Sequence, residues 1–268
     1  MRVIMHVQDS QQTRLQEEAD FADKHFAAPV TDLAMNERLF AAYARPTRMW
    51  DWRQRAARLL GSLDRKELLD YGCGAGEEAI YFAKLGARVS AIDISPGCVE
   101  VTRNRAECNG VGERVNVNLM DATHTTFASN SFDLVHGLGI LHHVGLAEGL
   151  TEVHRVLRPG GAAVFLEPLG SSAVVEGAKE KLHAKLGDKL DLAPVTTGER
   201  NLRLREVFKE CSRFSHARVF PYRLTYRARK LFLPFALWNT SLRLDHTLLY
   251  VFPFLKHFAG AAVLHVRK

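Results

Sequence analysis

Residues 67–76 read ELLDYGCGAG, Glu67 to Gly76, and this stretch decides the fold. Its first half leads a strand, and its second half places glycine at 72, 74 and 76. The following stretch, Glu77–Leu85, has helical spacing and stops at Gly86, a suitable C-terminal residue. Glycines let the backbone take positive φ and let a ligand approach without a Cβ in the way. The N-terminal N–H groups of the next helix favour a negative group such as a carboxylate. A strand, a glycine-rich turn and a helix in that order therefore point to a bound small molecule.

Downstream, the same alternation continues. Arg88–Asp93 (RVSAID) is a second strand, and Ser95 caps a helix with Pro96 at its first position, running to about Asn109–Gly110. Val115–Met120 is a third strand, ending on Asp121, and Phe132–Ile140 a fourth. Ala147–Leu157 reads as a helix broken by Arg158-Pro159-Gly160-Gly161, with Ala162–Leu166 as the fifth strand. From about Lys66 to Gly170 this is the pattern of a parallel sheet built from βαβ units.

The flanks differ. Residues 10–60 read as helices with a break near Arg45-Pro46, and residues 171–212 also look helical. Strands are expected at Ala217–Leu224 and Ala261–Val266, separated by a long apolar and basic insert, Tyr226 to Gly260. A hairpin normally needs far fewer connecting residues, so the insert has a cap or a partner role. The expected organisation is a helical cap over 1–60, a core over 61–170 and a C-terminal part over 171–268 carrying the insertion at about 226–260.

Length and composition set outer bounds. At 268 residues, 47% hydrophobic and 25% charged, the chain suits one α/β domain with a cap or insertion and not global disorder. Cys73, Cys98, Cys108 and Cys211 form no C-x-x-C pair and no Cys/His cluster at zinc spacing. No disulfide framework and no metal are expected. MRVIMHV lacks a secretory pattern, and the most hydrophobic piece, Leu231 to Trp238, is too short to span a bilayer and contains Pro234. A soluble, cytoplasmic protein is the expectation. Residues 200–268 hold 14 Lys/Arg against 3 Asp/Glu, whereas the first 199 hold 22 against 27, within a total of +6. Such a basic quarter could meet an anionic substrate, a membrane surface or nucleic acid, or be a solvated surface.

Spacing and acidic residues narrow the ligand. A nicotinamide or flavin fingerprint, G-x-G-x-x-G/A, wants Gly or Ala at 77; Glu77 stands there and the third glycine comes one place early, at Gly76. A bulky carboxylate there opposes close packing and a pyrophosphate, so dinucleotide binding is disfavoured. Asp93, 21 residues after Gly72 at the end of the second strand, can accept both hydroxyls of a ribose, or merely cap the next helix. Asp121 can take a hydrogen bond from an exocyclic amine while the small Ala122 leaves room for a flat ring; alone, such an Asp is more often a turn residue.

In this order, LLDYGCGAG at 68–76, Asp93, Asp121-Ala122, FDLVHGLGILHHV at 132–144 and VLRPGGAAVFLEP at 156–168, the chain resembles the class I, Rossmann-like S-adenosylmethionine-dependent methyltransferases, in particular their small-molecule branch. The resemblance implies an α/β three-layer sandwich around a mostly parallel seven-stranded sheet with an antiparallel C-terminal strand. It implies that Asp70, Gly72, Cys73, Gly74 and Gly76 hold the methionine moiety and that Asp93 binds the ribose, with Ile94 on the adenine. Asp121 and Ala122 would flank the adenine amine, and Gly137 and Leu138 would line the route to substrate. Tyr71 departs from the family's small or aliphatic residue and is expected to point into packing.

Because the methyl group of that cofactor is already activated, the protein mainly aligns acceptor, methyl and sulfur and excludes water. A general base is needed only for a protonated acceptor, and His142, His143 and Glu167 are the candidates. The adjacent histidines cannot both face the same way. Phe40, Tyr43, Met49, Trp50 and Trp52 could lie over the pocket. The insert, with Phe232, Phe235, Trp238, Tyr250, Phe252 and Phe254 among Arg227, Arg229, Lys230 and Arg243, suggests an apolar acceptor carrying an anionic group, or a second core or dimer surface. A nucleic-acid methyltransferase is disfavoured because Gly137-Leu138-Gly139-Ile140 stands where enzymes acting on base amino groups carry N/D-P-P-Y/F. A non-catalytic scaffold is opposed by the intact glycines and acidic residues.

Overall fold

Seven strands pair into one sheet: β1 (Glu67–Tyr71), β2 (Arg88–Asp93), β3 (Val115–Leu119), β4 (Phe132–Leu138), β5 (Leu157–Pro168), β6 (His216–Tyr222) and β7 (Ala261–Arg267). Their order is β3-β2-β1-β4-β5-β7-β6. The structure is a computed structural model that describes residues 2–170, 202–224 and 238–268. β1 pairs in parallel with β2 and β4, β2 with β3, and β4 with β5. β7 runs antiparallel to both β5 and β6, so β6 points the same way as the first five strands.

Period-two alternation divides the strand side chains between two apolar layers. Leu68, Leu134 and Val164 face one layer, with Ile80, Phe82 and Leu60. Leu69, Tyr71, Val135 and Phe165 face the other, with Leu150, Val153 and Val207. Because both faces are covered, the central strands are near-continuous apolar runs, as parallel sheets require. The first layer is made by helices α2 (Glu37–Ala44), α3 (Trp52–Leu60), α4 (Glu77–Lys84) and α5 (Pro96–Cys108). The second is made mainly by α7 (Leu146–Val156), which follows the single turn α6 (Leu141–Val144), and by α8 (Leu204–Glu210). Asn36, Asp51 and Ser95 cap α2, α3 and α5 through side-chain oxygens that accept backbone N–H groups, and Pro96 stands at the first position of α5.

At the chain's start, α1 (Arg2–Ala22) runs into a π-helical turn, Asp23–Ala27. At its end, α9 (Trp238–Val251) and a 3-10 segment, Pro253–Phe258, precede β7. Residues 171–201 and 225–237, on which much of the expected helical stretch and part of the insert fall, lie outside the described residues. No helix among the described residues is long and apolar enough to cross a membrane.

One local expectation is corrected. Arg158-Pro159-Gly160-Gly161 ends α7 at Val156, but the strand begins at once, at Leu157, instead of at Ala162. The extra residues are absorbed as a register shift: Phe132 pairs with Leu157 and Leu134 with Ala162. Gly160 takes φ +78°, its N–H donates to Lys268 O, and Lys268 N–H donates to Gly161 O. The breaker residues are thus stitched to the chain's last residue.

Candidate functional site

The strand order reverses between β1 and β4, and at such a switch point the carboxyl ends of the strands open a crevice. A cavity of about 510 Å³ lies there, walled by the residues that follow β1, β2, β3 and β4 and roofed by α1 and its π-helical turn.

The floor is the glycine-rich turn. Gly72, Gly74 and Gly76 have φ of +75°, +51° and +78°. A Cβ on Gly76 would stand 2.6 Å from the Thr102 side chain, so a substitution there meets both strain and α5. From beneath, Thr102 Oγ1 donates to Gly74 O at 3.0 Å and Arg105 Nε to Ala75 O at 2.8 Å. Around Gly74 the direction a Cβ would take is open space, leaving a bare backbone cradle.

Three carboxylates stand around this cradle. Asp70 Oδ1 lies 3.2 Å from His136 Nδ1, while its Oδ2 is buried with no hydrogen-bond partner. Burial pushes the Asp70 carboxyl above the usual range, against the opposing pull of His136. Asp93 accepts from Gly74 N at 2.8 Å and from Ser95 N at 3.0 Å; burial outweighs these donors and raises its carboxyl as well. Asp121 accepts from Thr123 N and Oγ1, both at 2.8 Å. Tyr71 points into packing under Phe165, and its hydroxyl donates to the carbonyl of Ala122, so the unusual residue positions the third wall.

Of the residues named from sequence, Asp70, Gly72, Cys73, Gly74, Gly76, Asp93, Ile94, Asp121, Ala122, Leu138 and His143 all line the cavity. Gly137, His142 and Glu167 do not. Gly137 lies inside β4, where a Cβ would meet the Phe165 ring at 2.6 Å. Glu167 is 2% exposed: Oε1 accepts from the N–H groups of Ile140 (3.0 Å) and Leu141 (2.9 Å), and Oε2 lies 2.8 Å from His142 Nδ1. The geometry therefore gives Glu167 and His142 a clamping role at the start of α6, leaving His143 as the candidate base on the wall.

The aromatic residues expected over the pocket go elsewhere. Tyr43 and Phe40 pack on Tyr81, with ring centroids 5.5 and 6.2 Å apart, and Trp52 joins the same layer. Trp50 lies under the Arg243 guanidinium, and the Met49 carbonyl accepts from Tyr222 OH. Tyr43, Phe40 and Trp52 pack in the apolar layer that α4 shares on this face of the sheet. Tyr43 OH also donates to Glu78, which is paired with Arg53 at 3.5 Å.

The roof is instead Arg14, Leu15, Glu18, Phe21, Ala22 and Phe26. Steps of three and four along α1 put these on one helix face, and that spacing was the available signal in the sequence. The roof is latched to α5: Asp23 accepts from Ser95 Oγ and, at 2.9 Å, from Gly97 N. Gly97 permits this approach, since a Cβ there would lie 2.6 Å from Asp23 Oδ1.

Comparison with known proteins fits this geometry. Residues 69–165 match the family described as "Methyltransferase domain". The methyltransferase GfsG of Streptomyces halstedii is 32% identical over 150 residues, 53% of this chain and 54% of its own length. A demethylmenaquinone methyltransferase of Bacteroides fragilis is 32% identical over 119 residues, 43% of this chain and 49% of its own. The chain thus spans about half the length of the curated relatives it matches. Among solved structures, geranyl diphosphate C-methyltransferase from Streptomyces coelicolor A3(2) covers 95% of this chain and 97% of its own at a TM-score of 0.57 and 14% identity, a likeness of fold.

Proposed function

We propose that this chain, which carries a class I, Rossmann-like methyltransferase domain of the S-adenosylmethionine-dependent type, transfers the cofactor's methyl group to a small apolar acceptor that bears an anionic or ionisable oxygen. The observation that carries the reading is the cradle with its orphaned carboxylate oxygen. Asp70 is buried, held by His136 and by the Ala79 backbone N–H, and its Oδ2 makes no close hydrogen bond beside backbone that no Cβ obstructs. A buried unpaired carboxylate oxygen is costly, and a cationic ammonium at that point would satisfy it.

The residues present fit the cofactor. Asp70 and the Gly72–Gly76 turn would hold the methionine end, Asp93 the ribose hydroxyls with Ile94 against the adenine, and Asp121 with Ala122 the amine edge. When bound, the cofactor supplies an activated methyl on a sulfonium. The chain's own part is then to orient the acceptor, exclude water under the α1 roof and, for a protonated acceptor, take its proton at His143. Leu15, Phe21, Phe26, Leu138, Ile140 and Val144 supply apolar wall, and Arg14 a cation at its rim. This composition suits an apolar acceptor with a negative group, and the names of the quinone-methylating relatives support that class.

Calorimetric titration with S-adenosylmethionine tests the cofactor step, and transfer from labelled cofactor to a panel of quinols, isoprenoids and phenols tests the acceptor. Absence of cofactor binding by the folded chain overturns the proposal.

A further inference from the structure

We propose that the aromatic end of the insert, around Tyr250–Phe258, docks the chain on an anionic lipid surface. Nine large apolar side chains are exposed among the described residues, and six of them lie between Leu244 and Phe258. Tyr250 is 82% and Phe254 64% exposed, with Val251, Phe252 and Phe258 beside them. Clustering of this kind is uncommon on a soluble monomer and marks an interaction surface.

The chemistry of the patch selects lipid. Lys256 and His257 sit within it, and no acidic residue follows Asp245, which is itself buried. The positive excess of the chain is confined to the quarter that holds these aromatics, since residues 1–199 carry more acidic than basic groups. Aromatic side chains seated at headgroup level, with basic groups drawn to anionic lipid, form an interfacial anchor of known physical type.

Topology places the anchor where it is useful. β6 leaves the sheet at Tyr222 and β7 re-enters at Ala261, which pairs with it; both ends lie at the carboxyl edge that holds the cavity. α9 is held to the body by Arg243 over the Trp50 ring at 4.7 Å and by His246 Nε2, 3.3 Å from Arg55 Nη2. An apolar acceptor partitions into lipid, so docking at this edge would bring the cavity to its substrate. Only this last step rests on the methyl-transfer reading.

The test is co-sedimentation of the whole chain, without cofactor, with phosphatidylcholine vesicles lacking or containing phosphatidylserine. The wild type should bind the phosphatidylserine vesicles, more weakly as salt rises. A double variant, Phe252→Ser with Phe254→Ser, should bind about tenfold less well or worse, with unchanged melting temperature and unchanged calorimetric cofactor binding. No partition of the wild type, or equal partition of the variant, overturns the proposal. So does a wild-type dimer that the double variant abolishes in the absence of vesicle binding, which would assign the patch to a second copy. Failure of the methyl-transfer reading would show separately, as absent cofactor binding in a chain that still sediments with vesicles.

Discussion

Glu18 Oε2 lies 3.0 Å from His143 Nδ1, joining the roof helix to the cavity wall across 125 positions of sequence. Arg14 Nη2 strengthens the junction by donating to the His143 carbonyl at 3.1 Å. Its neighbour His142 turns the other way, to Glu167. Successive residues of a helical turn point about 100° apart, which is how two adjacent histidines come to have different partners and different environments. Under the proposed methyl transfer, the contact with Glu18 is what would orient His143, so the roof helix and the cavity wall are linked through this pair.

Replacing Glu18 by Gln should lower kcat by about tenfold, a fraction of what a positioned base contributes. Calorimetric cofactor affinity should stay nearly constant, because the Glu18 carboxylate is engaged by the histidine. Glu18→Asp should recover part of the loss. An equal fall in cofactor affinity would mean that Glu18 holds the roof and does not position His143.

Glu167 and His143 should separate stability from chemistry. Glu167→Gln exchanges a buried acceptor of two backbone N–H groups and a histidine for a group that must donate from one side, costing about 2–4 kcal/mol in thermal or denaturant unfolding. His143→Ala, at the cavity wall, should cost under about 1 kcal/mol yet lower kcat about a hundredfold for a protonated acceptor. The reverse pattern would return the base role to Glu167.

These outcomes bear on what the sequence could reveal. The βαβ core was legible because its signals are local: period-two apolar runs, Ser95-Pro96 at a helix start, glycines at 72, 74 and 76. The cavity floor and its carboxylates followed from the same order of strands. What was not legible depends on long-range packing. Aromatic side chains near residues 40–52 look alike whether they cover a ligand or a sheet face, and only their packing into the layer that α4 shares decides for the latter. Glu167 stood at the ligand-binding edge by sequence, but the backbone N–H groups of Ile140 and Leu141 that claim it become neighbours only after β4 and β5 pair.

Asp70 should trade stability for binding. Its carboxyl is raised by burial, so the folded chain keeps that proton to higher pH than the unfolded chain does. The stability it contributes is thus present below the ordinary carboxylate pKa, near ~4, and is lost as pH rises through the raised value. Asp70→Asn removes that loss. At neutral pH the variant should be more stable than the wild type by about 1 kcal/mol, with the gap closing in acid, and should bind cofactor at least about tenfold more weakly. Melting curves at neutral and acid pH with a parallel titration check both; a variant less stable at neutral pH contradicts the assignment.

Tyr71→Phe tests whether a residue that never meets the ligand sets one of its walls. The hydroxyl donates to the Ala122 carbonyl from beneath, and the ring stays packed at 6.2 Å from Phe165 without it. Removing the donor should cost about 1–2 kcal/mol, since the buried carbonyl loses its partner, and should weaken cofactor binding a few-fold through Asp121-Ala122. Binding of adenosine alone should weaken by the same factor, whereas binding of methionine alone should not change, because Asp70 and the glycine-rich turn belong to β1 and its end, two strands away from Asp121-Ala122 after β3.

The latch at Asp23 sets how firmly the roof is held. Its carboxylate takes donors from Ser95 Oγ and Gly97 N, and Gly97 gives it room to reach the start of α5. Asp23→Ala leaves the Ser95 cap on Cys98 N intact, so α5 should keep its stability while the π-helical turn is released. Amide exchange over residues 12–27 should then accelerate by about tenfold or more, with exchange in β1 and β4 unchanged, as expected when a subglobal unit opens independently of the core. Cofactor should dissociate faster in proportion, and kcat should fall for the same reason as in Glu18→Gln, because a raised roof withdraws Glu18 from His143. Accelerated exchange without a change in kcat would break the link between roof closure and base orientation.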